Sequence, residues 1–184
     1  MRIASAALAA CLTMLPAGLP AAAPTNTHSP ETTPNHAGAA DSARLAEARW
    51  IRDPRFEGQP VLGVFEAQRS KAKATELKNL HTYFRKEFAL DDRAVEAQLC
   101  FSADDYAKIY VNGRLAAQGP EPAYPFAQPY YRIDVSELLA KGPNCLAVHA
   151  YYHGLACRAF NSADNRSGLI ARLEVTFADG SRSN

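Results

Sequence analysis

The chain has 184 residues and a formal net charge of +1, with 20 Lys and Arg against 19 Asp and Glu. That length holds one domain of ordinary size, with a core able to fold unaided. A near-neutral balance argues against nucleic acid or an anionic membrane surface as partner, since both are drawn by a basic excess. Of the four cysteines, Cys11 falls in a segment expected to be removed. The remaining three make no complete disulfide framework.

Met1-Arg2 is a short basic start, and Ile3 to Leu15 is an apolar run broken between Pro16 and Pro20. Ala21-Ala22-Ala23 then offers the small residues a signal peptidase needs, so residues 1–23 read as a signal peptide. The run is too short and wrongly flanked for a membrane span. Leu8-Ala9-Ala10-Cys11 also reads as a lipoprotein cleavage box. A lipid-anchored cysteine opens a polar tether, however, and here apolar residues continue through Met14 and Leu15, so cleavage after Ala23 is preferred. The expected location is periplasmic or extracellular. Residues 24–43 are Pro, Thr, Asn, Ser and Ala with almost nothing to bury, and read as a disordered linker.

The domain expected over residues 44–184 opens on the apolar cluster Ala48-Arg49-Trp50-Ile51, which holds the only tryptophan. Gly58 to Asn79, with Lys71, Lys73 and Lys78, reads as a loop or insertion. Thr82 to Leu90 alternates as a strand, Asp91-Asp92-Arg93 turns, and Val95 to Ser102 follows with Val95, Ala97, Leu99 and Phe101 on one face. From Tyr106 the alternation is strict. Ala107, Ile109 and Val111 point one way, while Tyr106, Lys108 and Tyr110 point the other, the mark of a strand with one face on a core. Asn112-Gly113 supplies two residues that tolerate positive φ, a strong hairpin signal.

Pro120, Pro122, Pro125 and Pro129 then exclude a central strand and suit a stiff surface loop. Tyr131, Ile133 and Val135 resume an inward phase. Asp134 and Glu137 have capping-box spacing, which predicts one helical turn from Val135 to Ala140, ending at Gly142-Pro143. Leu146, Val148 and Ala150 form another inward set. In Gly168 to Phe177, Leu169, Ala171, Leu173, Val175 and Phe177 share one face, with Arg172, Glu174 and Thr176 opposite. Asp179-Gly180 is a second hairpin signal, followed only by Ser181 to Asn184. The expectation is a sheet short of its last strand and a domain truncated at its C-terminus. The class expected is all-β: an antiparallel β-sandwich of jelly-roll type with one short helical turn.

Three constellations bear on chemistry. Glycosidic hydrolysis needs two carboxyl groups set several ångströms apart across the bond. The candidates Asp104, Asp105, Asp134 and Glu137 have structural positions instead, at the start of a strand and at a helix cap, so no catalytic residue is assigned. Cys145, His149, His153 and Cys157 are spaced four apart, as zinc ligands on a helix would be. On a strand, residues four apart lie about 13 Å from each other, and zinc holds its ligands within about 2.3 Å, so no metal is assigned. Sugar binding uses aromatic faces and planar polar groups. Tyr124, Phe126, Tyr130, Tyr131, Tyr151, Tyr152 and His153 are concentrated in and beside the stretch 119–160, with Asn112, Arg132 and Asn161 as hydrogen-bonding partners. The residues selected for glycan contact are Asn112, Tyr124, Tyr130, Arg132, Tyr152 and His153. Packing against a neighbouring domain is the competing use of the same surface.

A resemblance joins many of these residues. Trp50-Ile51, Tyr83-Phe84-Arg85-Lys86 with Phe88, and Ala103-Asp104-x-Tyr106 with Tyr110-Val111-Asn112-Gly113 resemble the N-terminal β-sandwich domain of bacterial α-L-rhamnosidases. The likeness continues in Gly119-Pro120, Tyr131 with Asp134-Val135, Leu138-Leu139 through Gly142, Asn144, Leu146 and Val148, then Tyr152-His153-Gly154 and Gly168-Leu169. It covers about residues 48 to 180. The resemblance implies a galactose-binding-like, jelly-roll sandwich. In that family catalysis belongs to a downstream helical (α/α) barrel, which this chain lacks. What it implies is therefore a non-catalytic accessory domain without cofactor, bracing a missing catalytic domain and contacting a rhamnose-containing or other plant or bacterial glycan. A free-standing secreted carbohydrate-binding module is the alternative.

Overall fold

Alternating apolar residues become strands here because each strand has one face to bury. The computed structural model describes residues 45–63, 77–121, 123–124, 128–155 and 162–184. The expected signal peptide and linker, Phe126, Cys157 and Asn161 lie outside the described residues. Among the described residues the strands are β1 (Leu80–Leu90), β2 (Ala94–Asp104), β3 (Tyr106–Val111), β4 (Arg114–Gly119), β5 (Tyr131–Asp134), β6 (Gly142–Tyr152), β7 (Gly168–Phe177) and β8 (Arg182–Ser183). They form two four-stranded sheets, ordered β1-β6-β3-β4 and β5-β2-β7-β8. All recorded pairings are antiparallel. The fold is an all-β sandwich.

The core lies between the sheets. Ala97, Leu99, Phe101 and Ala103 of β2 meet Ala107, Ile109 and Val111 of β3, with Val148, Ile133, Leu169 and Val175 around them. These are the inward phases that the alternation predicts, with one departure. Val95 is 59% exposed, because the β2–β7 register shifts between Ala94 and Glu96. An extra residue in one strand flips the phase, and Ala97 restores it. Trp50 and Ile51 are about half exposed rather than core. Ile51 instead exchanges backbone hydrogen bonds of 2.9 and 2.8 Å with Leu169.

Two turns differ from the sequence reading in their detail. The helical turn is a single 3-10 turn, Ser136–Leu138, whose N-cap position is Val135 and carries no side-chain cap bond. Asp134 Oδ1 accepts from Ser136 N at 2.8 Å and from Ser136 Oγ at 2.6 Å, so the bond skips the residue that a capping box would use. At the end of β7 the chain does return. Gly180 adopts φ 81, and β8 pairs Thr176 with Arg182 and Val175 with Ser183.

The Asn112-Gly113 turn has φ 50 and φ 80, as a two-residue hairpin with the twist of its strands requires. Asn112 does more than turn. Its Nδ2 donates to Leu138 O and to Asn144 Oδ1, each at 2.8 Å, and its Oδ1 accepts from Cys145 N at 2.8 Å. Asn144 in turn donates to the carbonyls of Ala140 and Gly142, at 2.7 and 2.9 Å. One asparagine pair thus closes the hairpin, the 3-10 turn and the start of β6 together. No atom lies within 4 Å of a Cβ built on Gly113, so Gly113→Val strains only the backbone. It should cost roughly 1–3 kcal/mol. Asn112→Ala should cost about as much, through lost hydrogen bonds. Urea unfolding checks both, and an unshifted midpoint for Asn112→Ala would remove the asparagine pair from the account of stability.

Candidate functional site

Strand alternation that buries one set of residues presents the other set outward, and on the β1-β6-β3-β4 sheet that outer set is aromatic. β1 contributes His81 and Tyr83, β6 contributes His149 and Tyr151, and β3 contributes Tyr106 and Lys108. The register sets His81 against Tyr151 and Tyr83 against His149. It sets Tyr106 against Tyr151 and Lys108 against His149. Lys108 in turn faces Gln118 of β4. Directly opposed side chains on one face are within contact reach, so the rings meet across the strands.

Tyr83 and His149 stack with centroids 4.8 Å apart at 17°. His81 lies 5.0 Å from His149 and 4.9 Å from Tyr151, and Tyr106 lies 6.2 Å from Tyr151. His81 Nδ1 is 2.8 Å from His149 Nε2, so one imidazole donates and the other accepts. Burial holds the His149 imidazole below its usual range, with His81 and Lys108 acting in the same direction. The Tyr151 hydroxyl donates to Asn79 Oδ1 at 2.8 Å. Beside these rings runs a groove of about 520 Å³ that also takes in Gln118, Gly119, Pro120, Glu121 and Tyr131.

The six residues selected from sequence are not brought together. Asn112 sits at the hairpin with both ends of its amide engaged within the fold. Tyr152 is 2% exposed on the inner face of β6, edge-on to Phe56 at 4.9 Å, and its hydroxyl accepts from Asn165 N at 3.1 Å. It has no face to offer a ligand. Tyr130 packs against Leu45, Cys100 and Ile170, on the outer side of the other sheet. Arg132 is exposed on that same sheet, opposite Cys100. Tyr124 is on the surface, and His153 follows β6. None of the six lines the groove. Its rings at 81, 106, 149 and 151 lie on the outward phase of strands, joined by Tyr131 of the other sheet and by the 119–121 segment, and the signal for them was the repeated His-x-Tyr of residues 81–83 and 149–151.

The other constellations are also placed. Cys145 and His149 both lie on β6, with Arg85 Nε donating to Cys145 Sγ at 3.3 Å and His149 paired to His81. Among the described residues no group of three or more His, Cys, Asp or Glu side chains converges on a metal position. Cys100 and Cys145 stand on the outer faces of different sheets and do not meet. Asp104 ends β2 and Asp105 begins the passage into β3. Asp105 is 1% exposed, and its Oδ2 accepts from His153 N at 2.7 Å and Ser162 Oγ at 2.8 Å. Asp164 is buried nearby and takes Arg166 as its ion partner. Burial raises the Asp105 carboxyl, against the pull of those two hydrogen bonds. Burial, then Asp164 and Asp105, pushes Asp104 up to about 8.

Gly154, with φ 67, closes this corner. A Cβ there would run into the backbone of Leu77 and Lys78, so the Tyr152-His153-Gly154 element needs its glycine for close approach.

The fold and surface define an antiparallel β-sandwich with an aromatic groove on one outer face. No protein-family model matches the chain, and no curated protein matches it in sequence. Among solved structures it is similar to the GH78 family rhamnosidase of Bacillus sp. GL1, with a TM-score of 0.52 and 27% identity over 74% of this chain and 12% of that one. The native α-L-rhamnosidase of Aspergillus terreus aligns with a TM-score of 0.50 and 23% identity, over 72% of this chain and 16% of that one. A lectin from Pleurotus ostreatus in complex with GalNAc aligns with a TM-score of 0.42 and 19% identity, over 58% of this chain and 28% of the lectin. The chain thus spans only 12 to 16% of the two rhamnosidases. The resemblance to an α-L-rhamnosidase sandwich domain, carried by sequence motifs, is present in the fold as well.

The buried acids have a consequence for stability. Asp104 keeps its proton in the folded chain up to about 8, whereas the unfolded chain loses it near 3.8. A raised folded value means stability that is full below the unfolded value and falls as pH rises through the folded one. The melting temperature should therefore decline between about pH 4 and 8 through this group, and Asp104→Asn should flatten that decline. His149 acts in the opposite sense at the acid side, so the wild-type-minus-variant difference is the quantity to measure. An identical slope in the variant would clear Asp104.

Proposed function

We propose that the chain is a non-catalytic, carbohydrate-associated sandwich that accompanies an α-L-rhamnosidase-type catalytic domain, bracing it and adding a surface for glycan. The observation that carries the reading is the likeness to the Bacillus sp. GL1 rhamnosidase at 27% identity, confined to 12% of that enzyme's length. A piece of that size does not amount to the whole enzyme. The disposition of the carboxylates supports the same reading: Asp105 is committed to His153 and Ser162, Asp134 to Ser136, and Asp164 to Arg166. Groups held in this way do not face each other across an open cleft, as hydrolysis requires. A signal-peptide reading of residues 1–23 supports a periplasmic or extracellular location as part of this proposal.

The second reading is a free-standing carbohydrate-binding module. It is favoured by a groove whose lining joins the rings of Tyr106 and Tyr151 to the hydrogen-bonding side chains of Lys108, Gln118 and Glu121. The coding sequence that follows in the genome separates the two.

The full chain should release no more aglycone from an aryl α-L-rhamnoside than a mock preparation does. It should be retarded in a gel containing a rhamnose-rich polysaccharide. Turnover above the mock would overturn the non-catalytic reading, and unretarded migration would remove the glycan from it.

A further inference from the structure

The groove on the outer face of β6, β3 and β4 has a chemistry that selects its occupant. One row across the sheet runs His149, Lys108, Gln118, and the neighbouring row runs His81, Tyr151, Tyr106. Tyr rings supply apolar faces that match the C–H faces of a pyranose, and planar polar groups match its hydroxyls. Lys108 only donates, Glu121 only accepts, and Gln118 does both. A ligand that uses all three both gives and takes hydrogen bonds at neighbouring atoms, as vicinal hydroxyls do. The charges of Lys108 and Glu121 balance, and one imidazole N–H is shared between His81 and His149 across 2.8 Å. An acidic sugar or a phosphate would want an excess of cations, and an apolar ligand would leave these polar groups unpaired. The volume of about 520 Å³ falls within the usual range of small-molecule sites.

We propose that this groove binds a short neutral saccharide, stacked against the Tyr106 and Tyr151 rings and hydrogen-bonded by Lys108, Gln118 and Glu121. The inference rests on the carbohydrate reading above and gives it a place. That place is on the face of a sheet, away from the six residues that the sequence pointed to.

The test is an amide NMR titration of the full chain with L-rhamnose and with rutinose, a neutral rhamnose-containing disaccharide. Shift changes should be confined to residues 81, 106–108, 118–121, 131 and 149–151. Tyr106→Ala and Gln118→Ala should each weaken binding about tenfold, the equivalent of one lost contact. Both side chains are exposed, so the melting temperature should hold. Arg132→Ala, on the other sheet, should bind like wild type. Shift changes elsewhere, or both groove variants binding like wild type, would overturn the groove while leaving the carbohydrate reading intact. No response to either sugar, together with unretarded migration in the polysaccharide gel, would overturn both. Groove amides that are covered by a rhamnosidase catalytic domain and ignore both sugars would assign the face to domain packing and overturn the saccharide site.

Discussion

The chain crosses from one sheet of the sandwich to the other at Asp105, and the fold depends on what that carboxylate holds there. β2 pairs with β5 and β7, β3 pairs with β6 and β4, and one residue separates the two strands. A buried carboxylate is costly unless its oxygens are bonded. Asp105 meets much of that cost by accepting from His153 N and Ser162 Oγ, while Ser162 Oγ also accepts from Gly154 N at 2.9 Å. The corner of the sandwich, the end of β6 and the segment before β7 are thereby tied to one side chain. The price is a carboxyl that burial holds well above its ordinary range.

β6 is the strand through which this corner reaches the surface. It lies between β1 and β3, and its ends are pinned by Asp105 at one side and by the Asn112–Asn144 pair at the other. Its inner residues Val148, Ala150 and Tyr152 are buried, and its outer residues His149 and Tyr151 stack with rings from both neighbours. Period-two geometry gives one strand both tasks. A register slip of one residue would exchange them, burying the imidazole and the Tyr151 hydroxyl and exposing the core. The groove and the core are therefore specified together.

Aromatic residues are dense along the chain between residues 119 and 160, which in the sequence points to a glycan site in the loops there. Density along the chain is not proximity in space. Tyr152 is drawn into the core by the phase of β6, Tyr130 and Arg132 belong to the far sheet, and Asn112 is consumed by the hairpin. The residues that do gather come from five strands, and His81 meets His149 across 68 positions of sequence. Their outward phase was readable: Tyr106 and Lys108 oppose the buried Ala107 and Ile109 in any strand reading. Which outward residues become neighbours was not.

Alternation of apolar residues was enough, by itself, to place β1, β2, β3, β6 and β7, and Asn112-Gly113 was enough to turn the chain between β3 and β4, because both signals act within a few residues. The motifs shared with the α-L-rhamnosidase sandwich domain are local in the same sense, and they carried the fold class. The tertiary structure alone decided the bulge that turns Val95 outward, the order β1-β6-β3-β4, the burial of Tyr152 and the pairing of His81 with His149. Strand order and register are set by contacts between distant segments, and those contacts exist only once the two sheets have closed around their core.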